Sequence, residues 1–314
     1  MSFSYQCYRF IWDKHLVPAR FTRSVYKRLS KLGPAPDSPF VQDFYGLQYY
    51  GNLTNNIDFN IYFYGAFEKP LLYFLRDTLS RLNKDKAIFV DIGANVGQHS
   101  LFMAAHGAQV HSFEPFDRVR NQLQMQIDKN ALTSITVHPL GLSNENTRLP
   151  FFAPTGNNVG IGSFDASTTS KGNVSIGELE LVKGDDYLAA QSITTIDIMK
   201  MDVEGFEKFA IEGLQKSLSD TRPIIVCEIT YGQSLSFESL EQLENALPEN
   251  YKLFTFNKRK ADGSKDRRRD ALSRHSGDYS IIALTQFLSS GQDDVIACPT
   301  EKCDLLPMHN IDRP

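Results

Sequence analysis

The sequence predicts an α/β fold, a mostly parallel sheet with helices on both faces, and three observations carry that reading. Short apolar runs of strand length alternate with longer segments whose apolar residues recur every three or four positions. The first such run, Ala87 to Val90, breaks at Gly93 and Gly97 into a helix, and Phe113-Glu114-Pro115 closes a second strand downstream. Four predicted strand ends carry acids: Asp91, Glu114, the turn Met201-Asp202-Val203-Glu204-Gly205, and Glu228. Repeated βα units put the helices over one sheet and bring its carboxyl ends, where ligands bind in such folds, to a common edge.

The elements follow in order. Residues 1 to 40 hold Lys14, Arg20, Arg23, Lys27, Arg28 and Lys31, then a Pro-rich run from Gly33 to Pro39, and predict a basic helix ending in a linker. From Phe44 to Tyr64 aromatic residues alternate on either side of Gly51-Asn52 and Asn55-Asn56, which predicts a β-hairpin. Leu71, Leu72, Leu75, Leu79 and Leu82 predict a helix over Phe67 to Leu82, with Pro70 in its first turn. The first sheet strand and its helix lead to a strand over Ala108 to Phe113, a helix carrying Val119, Leu123 and Ile127, and a strand over Ser134 to Leu140.

Residues 144 to 184 break the alternation. They are rich in Gly, Asn, Ser and Thr, and predict an insertion with short strands at Leu149 to Phe152 and Glu178 to Val182, a candidate lid or substrate contact. Alternation resumes with strand Ile196 to Met201, helix Glu204 to Ser217, strand Pro223 to Ile229, helix Phe237 to Leu247, strand Tyr251 to Phe256 and a last, antiparallel strand, Tyr279 to Leu284. The expected organisation is an N-terminal helical and β-hairpin extension over 1–82, an α/β domain over 83–290 and a tail over 291–314.

Composition narrows the function classes. The chain has 314 residues, 41% hydrophobic and 22% charged, with a formal net charge of −4, so total charge exerts no pull toward nucleic acid or anionic lipid. No run of 18 apolar residues and no basic-then-apolar leader stands in the sequence, which points to the cytoplasm and to no membrane span. Cys7, Cys227, Cys298 and Cys303 are too scattered for a disulfide scaffold, and no metal site is assigned.

The ligand class follows from the first strand end. Dinucleotide sites favour Gly-x-Gly-x-x-Gly, so that a diphosphate sits on a helix N-terminus. Here the spacing is Gly93-x-x-x-Gly97, and Asp91 stands two residues before the first glycine. An anion there repels a diphosphate and attracts an ammonium, directly or through water. Glu114, 23 residues beyond Asp91, is suited to accept from two ribose hydroxyls. A nucleoside with a cationic tail and no phosphate satisfies both, and S-adenosylmethionine is such a ligand. Asp91, Gly93, Asn95, Gly97 and Glu114 are its candidate binding residues, with a nicotinamide-dependent oxidoreductase and a non-catalytic binding module as the alternatives.

Asp202 and Glu228 end strands expected beside Asp91, on the acceptor side of the donor. Either could take a proton from an incoming hydroxyl, or the two could hold a divalent cation that acidifies it. They equally suit helix capping or a structural ion pair. His99 could reach the same pocket or serve as a buried polar residue, and Tyr231 is a further substrate-side candidate. Residues 258 to 274 carry eight bases against three acids, a local +5. Arg267, Arg268 and Arg269 in that loop could clamp a phosphate, sulfate or carboxylate on the acceptor, or stand in solvent. No RNA-binding motif accompanies the run, so no nucleic acid partner is expected.

Val90-Asp91-Ile92-Gly93-Ala94-Asn95-Val96-Gly97, Phe113-Glu114-Pro115, Gly141-Leu142-Ser143 and Met199-Lys200-Met201-Asp202-Val203-Glu204-Gly205-Phe206-Glu207 together resemble the FkbM family of S-adenosylmethionine-dependent methyltransferases. The Lys-x-Asp-x-Glu-Gly turn is the most specific piece. The likeness implies a class I methyltransferase (Rossmann-like) sheet of seven mostly parallel strands, and O-methylation of a hydroxyl on a sugar, glycan or secondary metabolite. It also implies that Glu68 lies near the methionine end of the donor and that the backbone at Leu142 and Ser143 borders adenine. Where the family often has Thr-Leu-Asp-Asp, this chain has Lys183-Gly184-Asp185-Asp186, and its basic loop has no counterpart in the family pattern.

Overall fold

The computed structural model describes residues 7, 8, 10–12, 14, 17–30, 38–154, 162–232, 235–258 and 277–310. Helix α1 (Ala19–Ser30) precedes a two-stranded hairpin, β1 (Pro39–Phe44) and β2 (Leu47–Asn52). The hairpin turns at Tyr45 and Gly46, both at positive φ (53° and 87°), the pairing that matches strand twist in two-residue turns.

The hairpin expected over Phe44 to Tyr64 is therefore displaced, because residues 56–64 form helix α2 (Asn56–Tyr64) instead. Asn55 caps it by accepting from the Ile57 N–H, and Gly65 closes it at φ 86°. Asp58, Phe59, Ile61, Tyr62, Phe63 and Tyr64 are all buried, so alternation in this stretch carries no information about period. Helix α3 (Lys69–Leu82) takes Pro70 into its first turn, as expected.

The main sheet begins with β3 (Ile88–Ile92), followed by α4 (Gln98–Ala105), β4 (Gln109–Phe113), α5 (Asp117–Lys129) and β5 (Ile135–His138). The chain then leaves the sheet. β6 (Gly141–Ser143), β7 (Thr147–Pro154) and β8 (Asn173–Lys183) form a separate three-stranded sheet in the order β6-β8-β7, so much of the expected insertion is a hairpin leaning on β6. After α6 (Gly184–Ala190), the main sheet resumes with β9 (Ile198–Met201), the helix pair α7 (Glu207–Gly213) and α8 (Gln215–Thr221), β10 (Ile224–Tyr231), α9 (Leu240–Ala246) and β11 (Tyr251–Phe256). Two strands complete it: β12 (Ile281–Ala283) and β13 (Gly291–Pro299).

Among the described residues the sheet has eight strands, not seven, in the order β12-β11-β13-β10-β9-β3-β4-β5, and it is mixed. β13 runs antiparallel to both neighbours, β10 and β11, and β12 runs antiparallel to β11. The strand expected over Tyr279 to Leu284 is thus a short edge piece. The antiparallel strand inside the sheet comes from residues 291–299, which begin with the polar run Gly291-Gln292-Asp293-Asp294 and read as tail in the sequence.

Strand side chains alternate between two cores. Phe89, Ile198, Ile224 and Val226 join the face covered by α3 and α4, while Val90, Ile92, Met199, Met201, Ile225 and Cys227 join the face covered by α7 to α9. Strand order reverses between β3 and β9, and the carboxyl ends of both open on one crevice.

Candidate active site

At the tips of β3, β4 and β9 a cleft opens, lined by Gly93, Asn95, Glu114, Phe116, Asp202 and Glu204 among others, and enclosing about 550 Å³ of space that includes open solvent. Its far wall is aromatic. Phe116 packs against Phe151 at 5.5 Å between ring centres, and Phe151 against Phe164 at 5.1 Å. Phe151 lies on β7, and Phe164 in the following segment also lines the cleft, so the insertion contributes a wall of the site.

Glu114 is buried, and both carboxylate oxygens face backbone donors. Oε2 accepts from the Asn95 N–H at 2.8 Å and Oε1 from the Phe116 N–H at 2.9 Å. Burial pushes its pKa up to about 7, although these two donors pull it down. Each oxygen retains a lone pair for a further donor from the cleft.

Gly93 and Gly97 both adopt the left-handed conformation expected of them, φ 79° and 85°. The space their missing side chains leave is filled by the protein rather than by a ligand. A Cβ on Gly93 would fall 1.9 Å from the carbonyl oxygen of Asp202, and one on Gly97 would fall 2.2 Å from Leu123 Cδ1. The first glycine lets β3 and β9 close at their tips, and the second lets α5 pack on α4.

Asp91 does not line the cleft. It is fully buried, with Oδ2 accepting from the Ser100 hydroxyl at 2.6 Å and Oδ1 lying 3.7 Å from Lys200 Nζ. Lys200, buried in the middle of β9, also donates to Asp202 Oδ2 at 3.3 Å and to the Gly93 carbonyl at 3.4 Å. Burial raises the Asp91 pKa and Lys200 opposes that shift; Asp202 and Asp91 in turn hold the ammonium's pKa above its ordinary value. The cation that Asp91 meets is thus the protein's own. The sequence gives no sign of this role for Lys200, since a lone lysine in an apolar strand does not show its partner on another strand.

Beyond Lys200 lies a set of carboxyl groups. Glu68, at φ 48° before α3, has its pKa raised to about 7 by burial and then by Asp294 and Asp202. Glu204, at φ 53°, is pushed to about 8 by burial, Asp202 and Glu207. Glu228 is pushed to about 10 by burial and then by Asp202 and Asp294, and it accepts from Gln292 Nε2 at 2.7 Å. Asp294, opposite Glu228 in the β10–β13 register, pairs with Lys258. Glu207 braces the β9 turn through Oε1, which accepts from Val203 N at 3.0 Å and Gly205 N at 3.2 Å.

His99, in the first turn of α4, is 7% exposed; its Nε2 has no hydrogen-bond partner among the described residues and lies 3.9 Å from Glu68 Oε2. Burial and the Lys200 charge push its pKa well down, so the ring is neutral.

The remaining candidates stand elsewhere. Tyr231 is buried at the end of β10, its ring 5.0 Å from that of Phe287, and it does not line the cleft. Leu142 and Ser143 are buried in β6 and are not among the residues that line the cleft, although their neighbour Gly141 lies against its Pro115; the Ser143 carbonyl lies against Gly213. Arg267, Arg268 and Arg269 lie outside the described residues. Among the described residues no group of three His, Cys, Asp or Glu side chains is placed to hold a metal ion, and no helix is long and apolar enough to cross a membrane.

Residues 91–253, just over half of the chain, match the family described as Methyltransferase FkbM domain. The chain belongs to the FkbM methyltransferase family. The family is one of S-adenosylmethionine-dependent enzymes, and the matched span runs from β3 into β11. Among curated proteins, the hexuronic acid methyltransferase AglP of Haloferax volcanii is 26% identical over 153 residues, which cover 48% of this chain and 59% of AglP. The match therefore spans about three fifths of that relative's length.

Among solved structures, a methyltransferase FkbM from Methylobacillus flagellatus is similar, with TM-score 0.39 and 20% identity, covering 68% of this chain and 43% of that one. A SAM-dependent methyltransferase from Agrobacterium tumefaciens has TM-score 0.44 and 10% identity, covering 86% and 72%.

Proposed function

We propose that this chain transfers the methyl group of S-adenosylmethionine to a hydroxyl oxygen of a sugar or glycan acceptor. The observation that carries the reading is the junction, at the tips of β3 and β9, of an aromatic-walled cleft with a set of carboxyl groups. Phe116, Phe151 and Phe164 offer apolar surface to a base, and Glu114 keeps lone pairs for ribose hydroxyls. Asp202 and Glu204 line the cleft with Glu68 behind them, carboxyl groups that a cationic tail would draw into ionisation and that offer nothing to the diphosphate of a nicotinamide cofactor.

When bound, the donor supplies a methyl carbon already activated by its positive sulfur. The chain's own tasks are to align an acceptor oxygen, exclude water and receive a proton. We assign proton removal to Asp202, which lies at the cleft beside Lys200, with the neutral Nε2 of His99 as a second acceptor. Glu228 holds a proton near neutral pH and is suited to donate a hydrogen bond to the acceptor.

The acid named in AglP makes a hexuronic sugar the first acceptor to try, with its neutral counterpart beside it. Formation of S-adenosylhomocysteine that depends on one of these acceptors supports the reading. Donor binding without turnover across the panel would favour a non-catalytic module, and binding of NADH in place of S-adenosylmethionine would overturn it.

A further inference from the structure

The first 36 residues hold seven Lys and Arg against one Asp, a local +6 in a chain whose total is −4. The same stretch presents apolar rings to solvent. Among the described residues, four of the nine exposed large hydrophobic side chains fall between positions 8 and 21: Tyr8, Phe10, Val17 and Phe21. Phe10 and Phe21 are the two most exposed phenylalanines described, at 61% and 53%. Single exposed apolar residues are ordinary, but a cluster among bases is not.

The opposite side of this segment is firmly seated. Trp12 and Tyr26 are 2% and 6% exposed, Tyr26 stacks within 5.1 Å of Phe59, and its hydroxyl donates to the Leu53 carbonyl at 3.0 Å. Arg23 turns inward as well and donates to the Tyr64 hydroxyl at 3.1 Å. With the inner face committed to α2, the outward set is Phe10 and Phe21 with Lys14, Lys27 and Arg28, all exposed.

We propose that this outward face docks on a lipid surface bearing anionic headgroups. Phenylalanines seat at the headgroup boundary while lysine and arginine meet the negative potential, the composition of a helix that lies on a bilayer without crossing it. Charge complementarity selects an anionic membrane over a neutral one. The apolar rings select it over a soluble polyanion, which has no use for them. The inference is independent of the methyl-transfer reading, since none of these residues lines the cleft.

The test is flotation of the full chain with vesicles of phosphatidylcholine, with and without phosphatidylserine, and with an RNA oligomer as competitor. Binding is expected only to the serine-containing vesicles, with release at about 0.5 M salt as screening shortens to a few ångström. Phe10→Ser with Phe21→Ser should cut the bound fraction about tenfold at unchanged charge, and Lys27→Glu with Arg28→Glu should do the same. Circular dichroism of each variant checks that the fold is kept. Absence of binding at low salt, equal binding to both vesicle types, undiminished binding by the serine variant, or RNA capture without vesicle capture would each overturn the proposal.

Discussion

Asp91 and Lys200 occupy facing positions on adjacent parallel strands, and the ammonium lies 3.7 Å from a carboxylate oxygen that no hydrogen bond reaches among the described residues. Both groups are within the sheet's core, so each charge depends on the other. Removing one partner of a buried pair costs about 3–5 kcal/mol. Lys200→Met should lower the unfolding free energy by that amount in urea titration, and adding Asp91→Asn should recover part of the loss.

Gly93 and Gly107 separate conformation from crowding. Both lie at positive φ, 79° and 96°, but only Gly93 has a neighbour where a Cβ would stand. Gly107→Ala should cost about 1 kcal/mol, the penalty of the left-handed conformation alone. Gly93→Ala must also displace the Asp202 carbonyl, so a loss at least twice as large is expected, together with weakened donor binding by calorimetry.

Glu114→Gln tests the proposed ribose contact. Because both oxygens already accept from backbone N–H groups, an amide NH₂ in either place sets donor against donor. The cost should be about 1–3 kcal/mol. A fall of about tenfold or more in S-adenosylmethionine affinity, at unchanged secondary structure, is the expected result.

The carboxyl groups give the fold a definite pH response. Glu68, Glu114 and Glu207 are raised to about 7 and Glu204 to about 8, above their unfolded value of 4.5. The folded chain therefore holds extra protons between about pH 4.5 and 8; the stability they give is fully present below 4.5 and is lost as pH rises through 7 to 8. His138, depressed to about 4, works in reverse and adds stability as pH climbs from about 4 toward 6.5. Thermal unfolding temperature should fall as pH rises from about 5 to 8, and Glu204→Gln should flatten that decline.

A cationic donor should drive the same carboxyls to ionise. Binding of S-adenosylmethionine at pH 7 is expected to release protons, read as a calorimetric enthalpy that changes with the ionisation enthalpy of the buffer. Buffer-independent heats would remove the proposed contact with Glu68 and Glu204.

Legibility in the sequence followed burial. The strands β3 and β10 are readable because their first residues, covered on both faces, form apolar runs, and the acids Asp91 and Glu228 stand out by contrast. Helix α2 was hidden because its aromatic residues are buried nearly all round, which erases any period. β13 was hidden because its polar half, Gln292 to Asp294, lies over the site and leaves only a short apolar run to signal a strand. Asp91 reads as facing a ligand and Lys200 only as part of a motif, since only the register of β3 on β9 makes them one feature.

The placement of β13 also bears on how the molecule is made. The last strand in chain order enters between β10 and β11, and it delivers Gln292 and Asp294 to the acidic side of the cleft. A nascent chain emerging from the ribosome can pair β3 with its neighbours early, yet that side stays unfinished until this wedge arrives. The acidic side of the cleft is thereby completed only once residues 291–299 have been made and have paired with both neighbours.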